Sequence, residues 1–184
     1  MHNAIRIITA VLLLLLSAIT YLFYAPGHVN ETAVSEAKAA LANYLQAHPG
    51  EKPMALAVVD FSQPSYAKRM AIIDLRSGER TFYRVAHGRN SGEIYARRFS
   101  DIPDSNMSSL GLFRITKLYY GDHGLALKLA GLDSLRNGNA ARRNIVLHEA
   151  GYVSIPYILL NVVTLHGPMT GRSNGCFAVS KYDI

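Results

Sequence analysis

Gly171-Arg172-Ser173-Asn174-Gly175-Cys176-Phe177 crowds two glycines and a serine around the only cysteine of the chain. Glycines let a backbone turn tightly and turn its N–H groups toward developing negative charge. A cysteine that reacts does so as its thiolate, and therefore needs a base or a positive neighbour. Upstream, the apolar β-type run Asn144 to His148 ends in a histidine, which becomes the natural partner if its strand lies beside the cysteine-bearing turn. On these residues alone three readings stay open: a working nucleophile, an inert buried thiol near structural glycines, or an intermolecular bridge.

The start of the chain bears on that choice. Arg6 is followed by an uncharged run from Ile7 to Ala25 that contains Leu12 to Leu16, the pattern of an export signal or a membrane anchor. Cleavage after Ala25 would want a small residue where Phe23 stands, and Pro26 follows the cut, so an uncleaved anchor is the favoured reading. Positive charge before the apolar run places the rest of the chain on the outer side of the membrane. Thiols exposed to that side are usually paired, and a lone Cys176 has no internal partner.

The length of 184 residues and 49% hydrophobic composition fit one compact domain plus this appendage. The net charge of +6 suits an anionic polymer or a membrane surface. Its cations are scattered, as Lys68-Arg69, Arg97-Arg98 and Arg142-Arg143, which argues against dedicated nucleic-acid binding.

Thr32 to Ala47 spaces Ala33, Ala37, Ala40, Leu41, Tyr44 and Leu45 as one face of an amphipathic helix, and His48-Pro49-Gly50 stops it. Met54 to Phe61, Arg69 to Leu75 and Arg80 to Ala86 read as three neighbouring strands, the last two joined by a hairpin at Arg76-Ser77-Gly78-Glu79. His87 to Ser109 reads as a long surface loop. Strands are expected again at Leu112 to Lys117 and Leu125 to Leu129, with a turn at Gly121 to Gly124. Leu132 to Ala141 reads as a short helix or turn. Periodicity leaves Tyr152 to Leu165 open between helix and strand.

Several blocks, in order, resemble one family: Val85-Ala86-His87-Gly88-Arg89, Ser108-Ser109-Leu110-Gly111-Leu112-Phe113, Tyr119-Tyr120-Gly121-Asp122-His123-Gly124, Arg143-Asn144-Ile145-Val146-Leu147-His148 and Gly171 to Ala178. They are similar to the murein L,D-transpeptidase catalytic-domain-like family, from about Met54 to the C-terminus. The resemblance implies a mainly β fold with minor helices, an L,D-transpeptidase-like β-sandwich, here preceded by an N-terminal hydrophobic helix. It also implies peptidoglycan stem peptides as partners and no cofactor or metal.

Under that resemblance Cys176 attacks the donor carbonyl and His148 takes the thiol proton. Backbone N–H groups around Gly175 and Cys176 hold the oxyanion, and Ser173 shapes the turn or bonds near the histidine. Arg172, His87 and Tyr152 are the substrate-binding expectations, with a solvated or structural role as the alternative for Arg172; His87 and His123 are expected to fix a loop or line the cleft, with proton transfer as the alternative. His166, before Gly167, is the rival base; the family pattern Arg-x-Ile-Val-x-His followed by Tyr-Val-Ser points to His148, because Tyr152-Val153-Ser154 follows it. No His-x-x-x-His pair of zinc spacing occurs.

The expected organisation is a signal or membrane anchor over 1–25, a linker and amphipathic helix over 26–53, and a catalytic domain over 54–184. The family usually continues beyond the position of Ile184 with a helix and a closing strand, so the domain is read as truncated or as a degenerate member. Glu149 stands where the family often has glycine, and the His148 to Ser173 stretch is longer and more apolar than the pattern. Transpeptidase, L,D-carboxypeptidase and peptidoglycan-binding scaffold share every residue named, and the sequence is silent on oligomeric state.

Overall fold

A computed structural model describes residues 2–121 and 124–181. Its strands form two sheets. β1 (Ala55–Val59), β2 (Met70–Asp74) and β3 (Arg80–Tyr83) make an antiparallel sheet in that order. The second sheet has the order β4-β8-β7-β6-β5, from β4 (Val85–Ala86), β5 (Phe113–Gly121), β6 (Gly124–Gly131), β7 (Val146–Glu149) and β8 (Phe177–Val179). Three helices accompany them: α1 (His2–Tyr24), α2 (Glu31–Ala47) and α3 (Ile155–Val163). The chain is thus mainly β, with the hydrophobic N-terminal helix expected from its composition.

Alternation along the strands divides the apolar residues between three layers. Met70, Ile72 and Tyr83 of the first sheet meet Val85, Leu129, Leu147, Phe177 and Val179 of the second, and Phe61 stacks on Phe177 between them. That shared core makes the two sheets a sandwich. The opposite face of the first sheet, through Leu56, Val58, Ala71 and Ile73, packs on Val34, Ala37 and Leu41 of α2. The opposite face of the second, through Ala86 and Ala178, is covered by Ala150, Tyr152 and Val153.

Local chemistry fixes the element ends. The Asn30 side chain accepts from the Thr32 N–H at 2.9 Å and caps α2, and Arg80 pairs with Glu31 to tie the helix to β3. Asp74 accepts from the N–H groups of Arg76 and Ser77 at 2.8 and 2.7 Å, closing the β2–β3 hairpin where the sequence predicts it. Tyr152 to Leu165 resolves as helix: Ser154 caps α3 and proline occupies its first turn, a position where the missing N–H costs nothing.

Leu132 to Ala141 is a turn rather than a helix. The reason is Asn137, fully buried, whose amide donates to the Leu112 carbonyl and whose Oδ1 accepts from the Asp133 N–H, both at 2.9 Å. Those bonds replace a helical ladder with a side-chain anchor. The strand expected at Arg80 to Ala86 is divided, with β3 in one sheet and β4 in the other. The expectation for His123 falls outside the described residues.

Candidate active site

β7 and β8 run parallel, with Leu147 opposite Phe177 and His148 opposite Ala178. Cys176 immediately precedes β8, two positions before the Ala178 that stands opposite His148, and its side chain packs against the core shared by the two sheets. At a strand spacing of about 4.8 Å and two residues of rise, the backbones of His148 and Cys176 stand about 8 Å apart, a span two side chains can bridge. His148 and Cys176, distant in sequence, thereby belong to adjacent segments of the second sheet.

His148 is buried, and its Nδ1 lies 2.7 Å from the Glu149 carbonyl. A carbonyl only accepts, so Nδ1 carries the proton and Nε2 is the basic nitrogen of the neutral ring. This tautomer is the one a general base uses when its other nitrogen is oriented by the backbone.

Cys176 is half-buried, and its thiol donates to the Asn144 carbonyl at 3.6 Å. Burial pushes the thiol above its ordinary range, opposed by the Val146 N–H and by the nearby charge of Arg143. At rest the group is therefore a thiol, and proton removal must accompany attack.

Ser173 sets the turn. Its hydroxyl donates to the Cys176 carbonyl at 2.6 Å and accepts from the Gly175 N–H at 3.1 Å. This alters one expectation: the Gly175 N–H is engaged inside the turn rather than offered to an oxyanion. Gly175 serves the shape instead, with φ at +117°, where side chains are disfavoured.

Behind the turn lies Arg143, a scattered cation and the head of the Arg143 to His148 block in the sequence, to which no structural role was assigned there. Its side chain is 3% exposed and 3.5 Å from Asp101 Oδ1. It donates to the Ser100 carbonyl at 2.8 Å and the Met107 carbonyl at 2.5 Å, and to Ser105 and Ser109 hydroxyls at 3.3 Å. A single guanidinium thus ties the 100–109 loop to the back of the cysteine turn. The serines of that loop were the available signal, since several acceptors near one arginine need a donor.

His87 sits in the interior beneath the site. Arg69, itself fully buried, donates from Nη2 to Nδ1 of His87 at 2.8 Å and from Nε to the Val85 carbonyl at 3.1 Å. Burial, and then the Arg69 charge, lower the His87 pKa to about 4; burial lowers Arg69 to about 9, still cationic at neutral pH. The His87 backbone is what reaches the site: its carbonyl accepts from the Ser173 N–H at 2.9 Å, and the Arg89 N–H donates to the Ser173 carbonyl at 2.8 Å. The His87 ring itself is fully buried.

Tyr152 packs on Ala86 and Ala178 within electrostatic reach of Cys176. A Cβ on Gly171 would come within 2.6 Å of the Tyr152 side chain, and the ring meets Tyr157 edge-on at 6.4 Å. Burial first, and the neighbouring Cys176 second, push its hydroxyl up to about 12, so Tyr152 stays protonated and acts as a donor. Arg172 donates to the Gly92 carbonyl at 3.1 Å with Glu93 at 4.0 Å. Beside it a groove of about 620 Å³ is lined by Ser91, Glu93, Tyr95, Arg97 and Arg98, and Cys176 is not among its lining residues. His166 is exposed on the turn after α3, with Nδ1 3.0 Å from Thr164 Oγ1, and is not brought to the cysteine turn by either sheet.

Residues 26–184 match the family model of the L,D-transpeptidase catalytic domain. The chain belongs to that family, whose members act on peptidoglycan. No curated protein and no solved structure matches it.

Proposed function

We propose that the chain is a cysteine-dependent peptidoglycan L,D-transpeptidase of the cell envelope, held at the membrane by α1. What supports this reading is the parallel pairing of β7 with β8, which brings the backbone of the Nδ1-protonated His148 within two register positions of Cys176. Attack by the sulfur on the donor carbonyl forms a C–S bond as the thiol proton passes to His148 Nε2. Collapse breaks the C–N bond and returns that proton to the departing D-alanine amine, leaving a thioester. An acceptor amine then attacks the thioester: the new C–N bond forms, the C–S bond breaks, and the amine proton passes through the same imidazole to the departing Cys176 sulfur, restoring the thiol. Ser173 and Gly175 hold the turn, Tyr152 donates toward the bound peptide, and Arg172 faces a substrate carboxylate.

The raised pKa of the Cys176 thiol favours a second reading, a domain that binds stem peptides without turnover. Incubating the full chain with disaccharide-tetrapeptide muropeptides separates the two. Crosslinked dimers with released D-alanine support the transferase, and trimmed tripeptides alone indicate a carboxypeptidase. Binding with unchanged muropeptides on folded protein would replace the enzyme by the scaffold.

A further inference from the structure

From Ala150 to Gly171 the chain carries no Asp, Glu, Lys or Arg, and α3 lies within this stretch. Ile158 anchors α3 inward, fully buried, whereas Leu160, Val163 and Leu165 are 55%, 76% and 93% exposed. Leu165 is also left-handed, with φ at +64°, a strained conformation for a branched apolar residue that turns it outward. A contiguous apolar patch on a folded surface ordinarily meets something.

What it meets is indicated by α1. This helix is long and apolar enough to cross a membrane and is almost wholly exposed, and a short part of it runs close to α3. Its C-terminal end is fastened to the sandwich by the Arg84 guanidinium on the Leu22 carbonyl, and Tyr21 shares a small cleft there with Tyr66 and Lys68. Tyr21 and Tyr24, 61% and 82% exposed, stand where aromatic residues mark the membrane–water boundary. The domain face from which α1 departs is therefore the face that displays α3.

We propose that α3 and the following Thr164-Leu165-His166 turn rest in the surface of a phospholipid bilayer beside α1, with Leu160, Val163 and Leu165 entering the apolar boundary. An uncharged, one-sidedly apolar helix lying in the interface plane is the geometry such contacts use. The catalytic face, linked to α3 through Tyr152 and Tyr157, is then held close to the membrane. This inference rests on reading α1 as a retained anchor.

The chain has no tryptophan, so single reporters test it directly in the full chain reconstituted in phosphatidylcholine vesicles with brominated acyl chains. Leu165→Trp and Leu160→Trp should be quenched severalfold, approaching Leu14→Trp in α1, while Leu135→Trp, at a residue 92% exposed elsewhere, should not. If the α3 reporters are quenched no more than Leu135→Trp, the α3 contact is wrong. Quenching of Leu14→Trp in that same case would leave the anchor standing, and its absence would remove the anchor as well. Unquenched α3 reporters whose emission shifts to the blue with protein concentration would assign the face to a second copy, which also overturns the proposal.

Discussion

Arg143 stands directly behind Gly175: a Cβ built on the glycine would fall 2.9 Å from Arg143 Nη2 and 2.8 Å from the Met107 carbonyl. The glycine is thus required twice, by its backbone angle and by the cation that fills the space its side chain would need. Substitution Gly175→Ala should cost about 1–3 kcal/mol through backbone strain and more through the clash. Urea denaturation should show the loss, with a proportionate fall in the reactivity of Cys176. An unchanged midpoint would mean that the turn relaxes freely.

Removing the guanidinium has a different signature. Arg143→Met leaves Asp101 buried without its partner and strips donors from the Ser100 and Met107 carbonyls, a change expected to cost about 3–5 kcal/mol. It also removes a charge that holds the Cys176 thiol down, so the midpoint for alkylation should move to higher pH. Arg143→Lys, which keeps the charge and loses the fork, should return the alkylation midpoint more fully than the stability. Equal rescue of both would argue against the separation.

Acid should weaken the fold through His87. Its folded pKa near 4 lies below the ordinary 6.5, so between those values the unfolded chain binds the extra proton. Stability is then complete above pH 6.5 and lost as pH falls toward 4, by on the order of 3 kcal/mol. Urea midpoints across that window should decline in the native chain and much less in His87→Gln. Parallel declines would assign the acid sensitivity to other groups.

Much of this architecture is readable before folding. The helix at α2, the β2–β3 hairpin and the strand ending at His148 carry local signals of capping, turn chemistry and alternation. α3 carried one too, in Ser154 and Pro156, but its largely apolar character, interrupted only by Asn161, masked the period. What local signals do not contain is which strands pair. The parallel seating of β7 on β8, and the split of the Arg80 to Ala86 run between two sheets, depend on the whole core closing. Arg143 and Arg69 were hidden for a related reason: composition places arginines on surfaces, and only the assembled loops show the carbonyls that bury them. The engaged N–H of Gly175 likewise follows from where Ser173 turns, which spacing cannot state.

The rivalry between the two histidines has a kinetic consequence. His166 bonds only locally to Thr164, so His166→Ala should leave Cys176 reactivity within about twofold, the scale of a surface change. A larger loss would bring the α3 turn into the chemistry.

The most direct test is capture of the cysteine by a carbapenem, read as added mass on Cys176 in intact protein over time. The native chain and His166→Ala should form the adduct at similar rates, while folded His148→Ala should lose at least about a hundredfold, the scale of a missing general base. Undiminished labelling of His148→Ala, or none in the folded native chain, would contradict the pairing of that imidazole with that sulfur.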